Sequence, residues 1–242
     1  MIEILFENDI ILAVNKPSGL LTQAVHGIDS LELRVKSYLA GRSDAGFDTE
    51  IAGIYLGVPH RLDRPVSGVI LFGKTKRATH RLSEQFENRK IDKIYWGIVS
   101  GTVDADEGTW IDYMRKVPNR PIAEIIQPIN PDAREAILHY KVLKRFKINN
   151  NSFTHLEIKL ETGRMHQIRL QSATHGYPIL GDATYNSTLP FGENFDNDRC
   201  REIALHARSI TFQNSITHEQ INLIAPTPQL WKDKIWNAES HS

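Results

Sequence analysis

Residues 60–68 read HRLDRPVSG and run directly into VILFG at 69–73. The second half is the easier to place: Val69, Ile70, Leu71 and Phe72 form an unbroken apolar, β-rich run, the pattern of a buried strand. The first half is polar, charge-dense and broken by the turn-forming Pro65. Asp63 therefore sits at the mouth of a strand, between Arg61 and Arg64. Flanking guanidinium groups favour the ionised carboxylate, so the segment offers a charged oxygen at neutral pH that can act as nucleophile, base or stabiliser of a cation. A surface ion pair of small energetic worth has the same local sequence, and residue types alone leave both readings open.

The strand reading also disposes of a motif. Gly68 to Thr75, GVILFGKT, satisfies the eight-residue pattern of a phosphate-binding nucleotide loop. Such a loop needs a flexible turn whose N–H groups curl around phosphates, and four bulky apolar residues in its middle prefer a strand. A nucleotide cofactor is not expected.

Further outward, short apolar runs recur at Ile10 to Val14, Ile94 to Val99 and Ile137 to Val142, and Leu156, Ile158 and Leu160 alternate with polar residues. Four-residue spacing, the mark of a helix face, appears at Leu31, Val35 and Leu39 and again at Ala78, Leu82 and Phe86. In the second helix basic residues fall between the apolar ones, so it can bury one face and present the other to an anion. Strands outnumber helices and long crossover helices are scarce. The expected class is α+β, with a mixed, mainly antiparallel central sheet flanked by helices and loops. The polar segments 41–57 and 186–199 read as surface loops.

A chain of 242 residues without a linker or repeat is expected to be a single domain over 1–242, large enough to bury roughly 70–75% of its unfolded surface. Its one cysteine, Cys200, excludes an intramolecular disulfide and suits a reducing compartment. The opening MIEILFENDIILAVNKP lacks the features of a signal peptide, and no stretch reaches the length of a membrane span. A cytoplasmic monomer is expected. Lys and Arg total 29 and Asp and Glu total 29, so composition does not suggest a nucleic-acid binder. The charges are uneven, however: Lys74, Lys76, Arg77, Arg81, Arg89, Lys90 and Lys93 crowd one stretch, and Lys141, Lys144, Arg145 and Lys147 another.

A second polar cluster follows Leu160, where Arg164, His166, Gln167, Arg169, Gln171 and His175 fall within a dozen residues. That density suggests a site. A short amphipathic helix with Ile168 inward and its arginines in water is the alternative.

These segments together resemble a known family. HRLDRPVSG is similar to the HRLDxxTSG signature of the RluA-type pseudouridine synthases, and other pieces follow in that family's order: VNKPSGL at 14–20, KIYWGIVSG at 93–101, LETGRMHQIRLQ at 160–171, HGYPILGDATY at 175–185 and ALHARSITF at 204–212. The resemblance implies the pseudouridine synthase fold and isomerisation of uridine within structured tRNA or rRNA, with no cofactor, metal or redox partner. It places the catalytic aspartate at Asp63, the active-site tyrosine at Tyr95 and the aspartate-pairing arginine at Arg164. Arg61 corresponds to the residue that fills the gap left by an extruded base. His60, Arg64, His166, Gln167 and Arg169 complete the expected substrate-binding set. Many relatives carry an N-terminal RNA-binding domain of the S4 type; here the family-like sequence begins at the first residues, so none is expected.

Three positions depart from the family pattern: Val66 for Thr, Met165 for Thr and Gln171 for His. None falls on Asp63, Tyr95 or Arg164; Val66 loses a hydroxyl and Gln171 a titratable ring, changes read as bearing on local RNA contacts more than on the chemistry. A catalytically inactive RNA-binding protein that keeps the fold is the competing reading, and a glycosidase acting on a free nucleoside is a weaker one.

Overall fold

The computed structural model describes residues 2–41, 53–192, 201–214 and 216–237. Much of the two polar segments at 41–57 and 186–199, and all of Cys200, lie outside the described residues. Along the chain the elements are β1 (Glu3–Glu7), β2 (Ile11–Lys16), α1 (Leu31–Leu39), β3 (Ser67–Gly73), α2 (Lys76–Glu87), β4 (Asp92–Ser100), β5 (Glu107–Lys116), β6 (Ala123–Ile125), β7 (Arg134–Ile148), β8 (Asn151–Leu160), α3 (Gln167–Thr174), β9 (Leu205–Gln213) and β10 (Gln220–Ile224). A 3-10 turn at Ala183–Tyr185 precedes β9, and a helical turn at Gln229–Trp231 continues as Lys232–Trp236. The chain forms two compact units, one built on Met1–Lys93 with Ala207–Pro226, the other on Ile94–Asp196 with Arg201–His206 and Thr227–Ser242.

In the first unit β1, β2 and β3 form an antiparallel meander, in register from Ile11 opposite Gly73 to Lys16 opposite Gly68. Ile11 to Val14 and every residue of β3 are buried, so both strands are covered on both faces. This is why they read as continuous apolar runs rather than alternations. The sequence once matched to a phosphate loop is thus strand β3 followed by a helix cap: Thr75 accepts a hydrogen bond from the Ala78 N–H at 3.1 Å and opens α2. Gly68 lies at φ +120°, and a Cβ there would stand 2.3 Å from the Ala207 carbonyl oxygen, so backbone packs where only glycine leaves room.

Helix α2 buries Ala78 and Leu82, two of the three positions that the four-residue spacing assigns inward. It approaches the sheet closely through Thr79, since a Cβ on Gly57 or Gly73 would fall 1.9 or 2.2 Å from the Thr79 hydroxyl oxygen. Gly57 and Gly73 bridge each other by paired backbone hydrogen bonds of 2.8 and 2.9 Å. The segment that leads to Asp63 is therefore clamped between strand and helix.

In the second unit the strand order is β4, β8, β7, β5, β6, with antiparallel pairing throughout that path. β7 and β8 make a long hairpin that turns at Asn149 and Asn150, both with positive φ, as suits a tight turn. One apolar cluster gathers Ile98, Phe153, Leu180, Ala204 and Trp231; a second joins Met114, Ala136, Leu170 and Tyr185. The α+β class and the antiparallel sheet expected from the apolar runs are both present.

Candidate active site segments

Asp63 lies on a turn whose backbone is held by the segment after β2. Thr22 donates to the Leu62 carbonyl at 2.9 Å and accepts from the Leu62 N–H at 3.2 Å. Ser18 donates to the Pro65 carbonyl at 2.7 Å, and the Gly19 N–H donates to the Arg64 carbonyl at 2.9 Å. The Arg64 guanidinium returns a bond from Nε to the Gly19 carbonyl at 2.8 Å. Within the turn the Val66 N–H donates to the Asp63 carbonyl at 3.0 Å. These bonds fix the backbone of residues 62–66, which carries the half-buried Asp63 side chain. Arg61 projects to solvent.

The strongest tie comes from a residue that sequence reasoning does not single out. Lys16, at the end of β2, is wholly buried. Its ammonium donates to the carbonyls of Pro17 at 2.9 Å, Arg64 at 3.1 Å and Val66 at 2.7 Å. Burial pushes its pKa down to about 7; the Asp63 carboxylate opposes that shift and the Arg64 charge adds to it. The available signal is a lysine placed directly after a buried strand and before Pro17 in the stretch VNKPSGL.

His60 plays an anchoring part. Its Nε2 accepts from the Leu71 N–H at 2.9 Å, and its ring stacks on Phe86 of α2 at 4.4 Å between centroids. An acceptor nitrogen must be unprotonated, and burial, with the Lys93 charge, pushes the His60 pKa down to about 3. In the second unit His155 sits among Trp96, Trp231 and Trp236, and burial, with the Lys144 charge, lowers it to about 4. Both histidines thus titrate near 6.5 only in the unfolded chain. Between pH 6.5 and 4 the unfolded state binds protons that the folded state refuses, so stability falls as pH falls through that window. The urea midpoint should drop between pH 7 and pH 5, above the range in which carboxylates titrate; an unchanged midpoint would contradict the neutral burial of these rings.

In the second unit Tyr95 is a buried residue of β4, opposite Ile158 of β8. Arg164 is exposed on the turn after β8, where its Nε donates to the Glu135 carbonyl at 2.9 Å. The rest of the polar cluster builds that turn. Gln167 is buried: its Oε1 accepts from the Thr162 hydroxyl at 2.8 Å and the Arg164 N–H at 2.9 Å, and its Nε2 donates to the Ile137 carbonyl at 3.0 Å. His166 adopts the left-handed conformation at φ +53° and pairs its Nδ1 with the Tyr185 hydroxyl at 2.8 Å.

Arg169 is buried with Asp182, its Nε and Nη2 donating to the two carboxylate oxygens at 2.6 and 2.8 Å. The bidentate pair lies over the Tyr185 ring and ties α3 to the loop before the 3-10 turn. The alternative of arginines in water therefore fails for Arg169.

Two of the three family departures also change meaning. Val66 and Gln171 are buried, Gln171 bonding through Nε2 to Asp112 at 2.7 Å and to the carbonyls of Trp110 and Ala136. These two substitutions fall in the interior, not on an RNA-facing surface as the sequence suggested, because each side chain is enclosed by its own unit. Met165 alone is exposed, at 36%. Among the described residues no group of three or more His, Cys, Asp or Glu side chains is placed to hold a metal ion, and no helix is long and apolar enough to cross a membrane.

Known proteins with this architecture define the fold first. The human RNA Pseudouridylate Synthase Domain Containing 4 matches with a TM-score of 0.71 at 22% identity over 98% of this chain and 92% of that one. The human Domain Containing 1 protein matches with a TM-score of 0.71 at 18% identity over 100% and 96%. The sequence then supplies the family: residues 10–174 match the profile described as RNA pseudouridylate synthase, and the chain belongs to that family.

Among its relatives, an uncharacterized RNA pseudouridine synthase of Synechocystis sp. is 34% identical over 94% of this chain and 66% of its own length. The ribosomal large subunit pseudouridine synthase D of Xanthomonas campestris is 30% identical over 94% and 66%. The tRNA pseudouridine synthase C of Vibrio vulnificus is 29% identical over 96% and 93%. The chain thus spans just under two thirds of the first and second of these relatives and nearly all of the third.

Proposed function

We propose that this protein converts uridine to pseudouridine within structured tRNA or rRNA, in the cytoplasm and without a cofactor. The reaction breaks the N1–C1′ glycosidic bond, turns the uracil, and forms a C5–C1′ bond; N1 ends with a proton and C5 loses one. Breaking the glycosidic bond develops positive charge on the ribose, which an ionised carboxylate can stabilise or capture. Asp63 is assigned that role, with Tyr95 and Arg164 as the other catalytic residues. A base inside a helix must leave its stack at a cost of a few kcal/mol, and Arg61, exposed two residues from Asp63, is assigned to occupy the vacancy. His60, Arg64, Gln167 and Arg169 act from within, by fixing the backbone that carries these groups; His166 joins them through Tyr185.

The observation that carries this reading is the family match spanning the Asp63 turn, together with the fixed backbone of that turn. The direct test is release of tritium from RNA labelled at uridine C5. Incubation with in vitro transcripts of tRNA or large-subunit rRNA should liberate up to one tritium per modified uridine, with no free uracil. Free uracil as the product would identify a glycosidase instead. Absence of release from every transcript tried, and of pseudouridine on mapping, would favour the inactive RNA-binding reading.

A further inference from the structure

Residues 74–93 carry seven Lys and Arg against three Asp and Glu, in a chain whose totals are equal. The fold sorts these charges. On α2, Ala78 and Leu82 are buried, while Lys76, Arg77, His80 and Arg81 are exposed, at spacings that put them along one outer face. Glu84 shares that face and lies 3.4 Å from His80 and 3.6 Å from Arg81. Glu87 ends the helix, and exposed Arg89 and Lys90 follow it.

Helix stability does not account for this arrangement. A helix favours acids in its first turn and bases in its last. Here the first turn contains Lys76 and Arg77 and no acid, and the last turn contains no base. The positive end of the helix and its cations therefore add rather than cancel, which disfavours the isolated helix and favours a bound polyanion. From Lys76 to Arg81 the helix rises about 7–8 Å, more than a single phosphate group occupies, so the stripe suits a run of phosphates along a strand.

The helix is also coupled to the Asp63 turn. The Tyr55 hydroxyl donates to Thr79 Oγ1 at 3.1 Å, Thr79 fills the space over Gly57 and Gly73, and Phe86 stacks on His60. We propose that Lys76, Arg77 and Arg81 bind the sugar–phosphate backbone of the RNA substrate away from the target uridine, and that α2 registers this backbone against the Asp63 turn through Thr79 and Phe86. The proposal rests on the reading of the chain as an RNA isomerase, and it names the surface by which a protein of neutral net charge holds a polyanion.

The test compares the triple variant Lys76→Gln/Arg77→Gln/Arg81→Gln with a control, Lys232→Gln/Lys234→Gln, whose lysines are exposed in the second unit. Filter binding and tritium release are measured on the same tRNA and large-subunit rRNA transcripts across a salt series. In the triple variant Kd and KM should rise about 10–100-fold at low salt, and the slope of log K against log salt should shrink by about two, since each lost phosphate contact removes roughly 0.7–0.9. The kcat should stay within about twofold, and the control should match the unaltered protein.

Unchanged Kd and salt slope overturn the proposal, as does an equal loss in the control or a loss confined to kcat. Release of tritium by the unaltered protein keeps the isomerase reading in each of those cases. If the unaltered protein binds RNA through these residues but releases no tritium, the isomerase reading falls alone. If it binds no RNA, both fall.

Discussion

Asp63→Ala should reduce tritium release from C5-labelled RNA by about 10^4-fold or more, the scale on which enzymes lose a group that enters the bond-making step, while RNA affinity changes little. The backbone at this turn is secured by Lys16, Ser18, Gly19 and Thr22 bonding to carbonyls and N–H groups of residues 62–66. None of those bonds runs through the Asp63 carboxylate, whose charge favours the Lys16 ammonium, so its truncation costs the turn far less than the chemistry. A melting temperature within a few degrees of the unaltered protein is therefore part of the prediction, and it separates lost chemistry from lost fold.

Asp63→Asn sharpens the result. It preserves shape and removes only the charge, so a variant equally inactive assigns the effect to the ionised oxygen. The readings of this chain diverge clearly here. An inactive RNA-binding protein has no tritium release for Asp63→Ala to abolish, and a glycosidase loses production of free uracil. Retention of the unaltered rate by Asp63→Ala would sink the assignment of this residue whichever RNA is the substrate.

The strands and helices were legible because each announces itself locally. Val69 to Phe72 favour a buried strand, and Ala78, Leu82 and Phe86 mark one helix face; the structure supplies β3 and α2 at those places. The polar cluster after β8 was legible only as a cluster. Whether Arg169 faces water or the interior depends on Asp182, thirteen residues on, and whether Gln171 is a surface contact depends on Asp112 and on two carbonyls of other strands. No local pattern encodes such partners. The departure of Gln171 from the family's histidine thus belongs to interior hydrogen bonding, a distinction composition cannot draw. Lys16 is the extreme case: a lysine is among the least often buried residues, and its acceptors at Arg64 and Val66 lie 48 and 50 positions away.

Lys16→Met should be the most damaging single substitution for stability among those considered, lowering it by about 1–3 kcal/mol. Methionine matches the length of the side chain and removes the cost of burying a charge. Against that gain, the Val66 carbonyl loses its buried donor while the Arg64 carbonyl keeps the Gly19 N–H, and a buried polar group left unsatisfied costs about 1–3 kcal/mol. That unsatisfied carbonyl, with the lost ties to Arg64 and Pro17, outweighs the relief. For a chain of this size that loss corresponds to roughly 2–12 °C in Tm, and freeing the Asp63 turn should lower kcat as well.

The pH dependence gives the same residue a second signature. Because burial lowers the Lys16 pKa from 10.5 to about 7, the unfolded chain holds a proton between pH 7 and 10.5 that the folded chain releases. Stability from this group therefore rises with pH across that window, and the variant lacks the rise. The gap in Tm between the unaltered protein and Lys16→Met should widen from pH 7 to pH 9. A gap that stays constant or narrows would show that the ammonium keeps its proton in the fold, and an unchanged Tm at pH 7 would show that the three carbonyls find other donors.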